Sequence, residues 1–102
     1  MPSLQKVLLI TGAAKRLGRF LTQELGNEKT SIAIHYHRSK PEAKSLLKHL
    51  AAKKCDAALF PADLSRVSQI EKMVSSVVKH FGRIDVLINN AAVFYPTPFG
   101  KI

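Results

Sequence analysis

The stretch Thr11-Gly12-Ala13-Ala14-Lys15-Arg16-Leu17-Gly18 directly follows the apolar run Val7-Leu8-Leu9-Ile10. Gly12 allows a sharp backbone turn, and Gly18 lets a following helix sit close to the strand. A buried strand that passes through such a turn into a helix offers backbone N–H groups and the positive end of the helix dipole to an anion. A dinucleotide diphosphate is held in this way. Taken alone, the stretch also fits an ordinary strand-to-helix turn.

Three more sites of the same kind follow. His35-Tyr36-His37-Arg38-Ser39 ends a second apolar run and contains no acid. A dinucleotide domain selective for NAD places an Asp or Glu there, bonded to the ribose hydroxyls. Arg38 and Ser39 instead suit a 2′-phosphate, through a charge-assisted bond and a hydroxyl, whereas a carboxylate would repel it. The pattern favours NADP. The bland alternative is a solvated Arg38 and a Ser39 that caps the next helix. His35 and His37 share a strand face, but two ligands without a nearby third do not make a metal site. Asp63-Leu64 and Asn89-Asn90-Ala91-Ala92 follow two further apolar stretches. Each alone is compatible with turn chemistry, since Asp and Asn bond nearby backbone. Four such sites at four consecutive strand ends match the place where open α/β sheets bind ligands.

The elements that must position these residues are legible as hydrophobic periodicity. Leu4 to Ile10 reads as a strand apolar enough to be buried on both faces. A helix is expected from Lys15 to Leu25, with Leu17, Phe20, Leu21 and Leu25 on its inner face and Gly26-Asn27 as its stop. Ser31 to Tyr36 is a second strand. Ser39, with Glu42 three residues on, is a candidate capping box for a helix whose inner face is Ala43, Leu46, Leu47 and Leu50. Asp56 to Phe60 is a short third strand. Ser65 to Phe81 is the clearest helix, with Ile70, Met73, Val74, Val77, Val78 and Phe81 at helical spacing and Gly82 as its end. Arg83 to Asn89 is a fourth strand. From Ala92 onward Pro96, Pro98 and Gly100 read as loop. Alternating strands and helices predict a parallel sheet with right-handed crossovers.

The 102 residues bound this to one domain, and 46% hydrophobic residues argue for a packed core. The net charge of +9 admits an anionic partner. However, Lys40, Lys44 and Lys48 recur every four residues as on an outer helix face, and no aromatics interleave with the basic residues. The reading is therefore a solvated basic surface with no nucleic-acid role. No run is long enough for a membrane span, the start leaves no room for a signal peptide, and Cys55 has no disulfide partner. These features point to a soluble, cytoplasmic protein.

Thr11-Gly12-x3-Arg16-x-Gly18, Asp63-Leu64 and Asn89-Asn90-Ala91 together resemble the N-terminal part of the short-chain dehydrogenase/reductase family over essentially the whole chain. The family's usual turn has glycine where this chain has Arg16. That departure, with His35-Tyr36-His37-Arg38-Ser39 and Asn89-Asn90-Ala91-Ala92-Val93-Phe94-Tyr95-Pro96-Thr97-Pro98, is similar to the pteridine reductase branch. The resemblance implies a Rossmann-like, doubly wound α/β sheet in strand order 3-2-1-4, truncated after its fourth strand. It implies NADPH as cofactor, bound by Gly12, Arg16, Leu17, Gly18, His37, Arg38, Ser39, Asp63, Leu64, Asn90 and Ala91. Within that set Arg16 matches a residue at the cofactor phosphates. His37, Arg38 and Ser39 match those around the 2′-phosphate, Asp63 and Leu64 those at the adenine, and Asn90 and Ala91 those at the ribose and nicotinamide. Phe94 matches a phenylalanine that stacks on a pterin. Ala92 stands where pteridine reductases commonly have serine.

The family's catalytic tyrosine and its x3-lysine partner fall beyond Ile102, so no catalytic residue is assigned here. Tyr36 has Lys40 four places on, but at a strand end that spacing does not align the side chains. On this reading the chain alone is inactive, and an apolar fourth strand left as a bare edge implies marginal stability or association, including homo-oligomers. The alternatives are a short-chain carbonyl or alcohol reductase for another substrate, which Ala92 favours, and a non-catalytic nucleotide-binding or interaction module.

Overall fold

The computed structural model describes residues 5–90. Four strands and three helices alternate: β1 (Lys6–Thr11), α1 (Arg16–Leu25), β2 (Thr30–Tyr36), α2 (Lys40–Ala52), β3 (Asp56–Pro61), α3 (Val67–Phe81) and β4 (Val86–Asn89). All the strand pairs are parallel and the order is β3-β2-β1-β4. Thus β1 and β2 are central, and every strand delivers its C-terminal residues to the same sheet edge.

Pleat alternation explains why the central strands are apolar on both sides. Leu8, Ile10, Ile32, Ile34 and Tyr36 face a core completed by Ala43, Leu46 and Leu50 of α2. Leu9, Ala33 and Phe60 face the other core, with Met73 and Val77 of α3. The lysines at 40, 44 and 48 lie on the exposed side of α2, as their spacing requires.

Element boundaries move by a few residues from the sequence reading. The fourth strand begins only at Val86, and α3 begins at Val67. The inner face of α1 needs correction. Its buried residues are Gly18 and Thr22, whereas Leu17 and Phe20 are 60% and 57% exposed. Thr22 bonds back to the Gly18 carbonyl at 2.7 Å, so the small residues form the contact stripe. Arg19 fastens α1 to α2 by donating to the Glu42 carbonyl and the Ser45 hydroxyl. On α3 only half the apolar stripe is covered, since Val74 and Val78 are exposed. The expected capping box is also absent, because Ser39 makes no side-chain cap hydrogen bond.

The far end of the sheet is tied by Asp85. Its carboxylate accepts from the Val7 N–H at 2.8 Å and from Arg83 Nε at 2.8 Å, while its own N–H donates to the Val7 carbonyl. The Val7 bond, then Arg83, hold this carboxyl below its usual pKa. A depressed carboxyl stabilises the fold above the unfolded value of about 3.9 and loses that contribution as pH falls through the folded value. Asp85→Asn is expected to shrink the acid limb of a denaturation-versus-pH curve below about pH 4. An acid limb of unchanged size would contradict this role.

Candidate cofactor site

Gly12 has φ 63, in the left-handed region, and turns the chain out of β1. Arg16 has φ 54. This is the position where the sequence departs from a glycine-bearing turn, and the backbone keeps a glycine-like conformation although the residue is arginine. An L-residue in this region costs roughly 1 kcal/mol. Strain of this kind is held where the side chain or the turn has a use. Lys15 and Arg16 are both exposed, which puts two cations at the start of α1. Arg16→Gly is expected to gain up to about 1 kcal/mol of stability in denaturant titrations while weakening anion binding at the turn. Weaker stability with unchanged binding would show that the conformation is unrelated to a ligand.

Two amides of the turn are already used. Gly12 N–H donates to His35 Nδ1 at 2.9 Å, and Ala13 N–H donates to the His35 carbonyl at 3.1 Å. The helical ladder begins with Arg19 N–H on the Lys15 carbonyl. The N–H groups of Arg16, Leu17 and Gly18 in the first turn of α1 are among those left for an anion. Gly18 is indispensable to this packing. A Cβ there would lie 2.0 Å from the Gly12 carbonyl oxygen and 2.5 Å from Asn90 Nδ2.

The neighbouring strand ends close around this turn. The Thr11 hydroxyl donates to Asn89 Oδ1 and accepts from the Asn90 N–H, both at 2.9 Å, and Asn90 Nδ2 reaches the Gly12 carbonyl at 3.4 Å. Thus β4 is latched to β1 at the site. On the other side, beyond β2, Asp63 Oδ1 accepts from the Ser65 hydroxyl and N–H, and its second oxygen lies 3.9 Å from His37 Nε2 and 3.6 Å from Arg66. The Ser65 bonds, with smaller help from His37 and Arg66, hold the Asp63 carboxyl below its ordinary pKa. Leu64 is half-buried against the α3-side core. His37 and Arg38 are exposed just past β2.

The arrangement brings together Gly12, Arg16, Leu17, Gly18 and Asn90 at one pair of strand ends, and His37, Arg38, Ser39, Asp63 and Leu64 at the adjacent pair. Ala91 and Phe94 lie outside the described residues. Thr11, Asn89 and His35 stand within the motif stretches, but the sequence does not give the hydrogen bonds they make in the site. His35 is buried with both ring nitrogens on backbone groups, which leaves it unavailable as a ligand. Among the described residues no group of three or more His, Cys, Asp or Glu is placed to hold a metal, and no helix is long and apolar enough to cross a membrane. Free first-turn amides, a glycine cradle and arginines on two strand ends are together a donor set that fits a dinucleotide.

The short-chain dehydrogenase family model matches residues 6–102. The chain belongs to this family. It is 39% identical to pteridine reductase 1 of Leishmania tarentolae, over 90% of this chain and 38% of that protein. It is 31% identical to the 3-oxoacyl-[acyl-carrier-protein] reductase of Staphylococcus epidermidis, over 88% of this chain and 37% of that protein. Among solved structures it is similar to a dehydrogenase from Burkholderia cenocepacia with bound NADP, at TM-score 0.77 and 34% identity over 83% of this chain and 33% of that one. A variant of actinorhodin polyketide ketoreductase with NADPH gives TM-score 0.82 and 27% identity over 100% of this chain and 38% of that one. The chain thus spans little more than a third of the length of these relatives.

Proposed function

We propose that this chain is the NADPH-binding portion of a short-chain reductase, and that the whole protein reduces a pterin or dihydrofolate-like ring. The observation that carries the cofactor choice is the end of β2. No acid stands there, Arg38 is exposed, and the Ser39 hydroxyl is not spent on capping α2. An arginine and a hydroxyl at that point suit a 2′-phosphate and leave nothing to bond two ribose hydroxyls as a carboxylate would. When bound, the nicotinamide supplies a hydride. The residues of this chain bind and orient it, through the first-turn amides with Arg16 at the diphosphate and His37, Arg38 and Ser39 at the 2′-phosphate.

The pterin part rests on the likeness to the Leishmania enzyme and on Phe94 in the stretch after β4. One residue favours a different substrate. Ala92 has no hydroxyl where pteridine reductases commonly have serine, which supports a carbonyl reductase acting on another compound. Titration of the whole protein with NADPH and NADH, then turnover of a panel of dihydropterins, dihydrofolate and 3-oxoacyl thioesters, tests both parts. Selective NADPH binding with pterin turnover is the expected result. A preference for NADH would overturn the cofactor choice, and turnover of thioesters alone would overturn the pterin.

A further inference from the structure

His35 occupies an unusual place in this sheet. It is 3% exposed, near the end of β2, with β1 on one side and β3 on the other. Gly12 N–H donates to its Nδ1 at 2.9 Å, and its Nε2 lies 2.9 Å from the Ala62 carbonyl. A carbonyl only accepts, so Nε2 carries the proton and Nδ1 is the bare acceptor. One neutral imidazole therefore bridges the glycine turn after β1 and the segment that leads into Asp63. These two segments cannot pair directly, because β2 separates their strands. The main chain reinforces the bridge. The His35 carbonyl accepts from Ala13 N–H, and the Tyr36 carbonyl accepts from Ala62 N–H at 3.0 Å.

We infer that His35 is a positioning residue that sets the spacing between the Gly12 turn and the Ala62-Asp63-Leu64 segment, so that one dinucleotide engages both at once. This inference rests on the NADPH reading above. The turn and its first-helix amides face the diphosphate, while His37, Arg38 and Asp63 face the adenosine end. A ligand that spans both regions depends on their spacing, and a ligand confined to one does not. The bridge works only while the ring is neutral. A second ring proton would point at the Gly12 N–H and leave two donors opposed in a buried place. Burial, and to a lesser degree nearby His37, pull the pKa of His35 below its ordinary value, against the Ala62 bond. The other charged groups around it are Asp63 with its partner Arg66 after β3, Lys72 of α3 on the groove shared by Ala62 and His37, and exposed Lys15 and Arg16 on the turn. The Asp63 carboxylate is engaged by Ser65 and set beside His37 and Arg66, so it offers His35 no counter-ion bond.

The test uses the whole protein, with His35→Phe, which keeps a ring and loses both polar atoms, and His35→Gln, which keeps one acceptor and one donor. Dissociation constants are measured for NADPH and for adenosine 2′-monophosphate, at temperatures where melting curves show each variant fully folded. We expect His35→Phe to weaken NADPH by about tenfold or more and adenosine 2′-monophosphate by less than about threefold. His35→Gln should recover most of the loss. Wild-type NADPH affinity should fall with acid only below the ordinary histidine value of about 6.5, where the lowered His35 ring gains its second proton, and by more than in His35→Gln. Equal losses for both ligands, unchanged NADPH binding in His35→Phe, or identical acid limbs in wild type and His35→Gln would each overturn the inference. A wild type that prefers NADH would overturn only the NADPH reading. The same comparison with NADH and adenosine 5′-monophosphate then decides the role of His35. Failure of every dinucleotide to bind overturns both.

Discussion

Gly18→Ala is expected to destabilise the chain by about 3 kcal/mol or more and to abolish dinucleotide binding in the whole protein. The added methyl carbon would sit 2.0 Å from the Gly12 carbonyl oxygen and 2.9 Å from its carbon, both backbone atoms. No rotamer change relieves that overlap. Either α1 lifts from the end of β1 or the turn opens, and both movements displace the first-turn amides. The Asn90 side chain, 2.5 Å from the same point, would also be pushed off the Gly12 carbonyl. Two other glycines calibrate the effect. A Cβ on Gly26 meets Leu50 Cδ2 at 2.4 Å, the end of a flexible side chain. A Cβ on Gly82 meets nothing within 4 Å, but φ is +90. Each should cost about 1 kcal/mol as alanine, for different reasons: repacking at Gly26 and left-handed backbone at Gly82. Denaturant unfolding of the three variants checks the order. A Gly18→Ala protein within about 1 kcal/mol of wild type, with dinucleotide binding retained, would mean that α1 does not need its close approach to the turn.

The same residues explain how much of this molecule could be read in advance. The element sequence and a parallel sheet were accessible because β1 and β2 are apolar on both faces and are separated by helices of the right period. Resemblance then supplied the 3-2-1-4 order that the pairing register realises. The error on α1 has a physical origin. Periodicity identifies which apolar residues share a face, but not whether anything covers that face. Leu17 and Phe20 share a face that no described residue covers, whereas Gly18 and Thr22 are buried because they are small enough for a close approach. Exposed Val74 and Val78 on α3, and Leu87 on β4, repeat the lesson. At the site, residue type and spacing were enough to mark Gly12, Gly18, Arg38 and Asp63. They were not enough to show the bridging role of His35, whose two partners lie 23 and 27 residues away along the chain and meet it only through the sheet. Its buried neutral state is a tertiary property. So is the left-handed backbone at Arg16, where the family's usual glycine is missing but the turn geometry stays in place.

Arg38→Asp should reverse the cofactor preference on the proposed reading. Arg38 is exposed, and no ion pair involves it among the described residues, so the substitution should move stability by less than about 0.5 kcal/mol. Its effect falls on the ligand. A charge-assisted bond from a guanidinium to phosphate contributes about 1.5–3 kcal/mol, and an aspartate adds repulsion against a group carrying roughly −1.5 to −2 charge at pH 7. Together these predict a loss of NADPH affinity of about 100-fold or more. NADH lacks the 2′-phosphate. The new carboxylate can accept from its adenosine ribose hydroxyls, so NADH affinity should hold or rise. Raising the salt should weaken NADPH binding to wild type and narrow the gap between the two proteins, because the site is open to solvent. Ser39→Ala serves as the smaller companion, with a loss of about fivefold for NADPH and none for NADH, since only one neutral hydroxyl is removed. Paired titrations of both cofactors at two salt concentrations decide the matter. An unchanged NADPH-to-NADH ratio in Arg38→Asp would mean that Arg38 is an ordinary solvated side chain and that cofactor selection lies elsewhere in the protein.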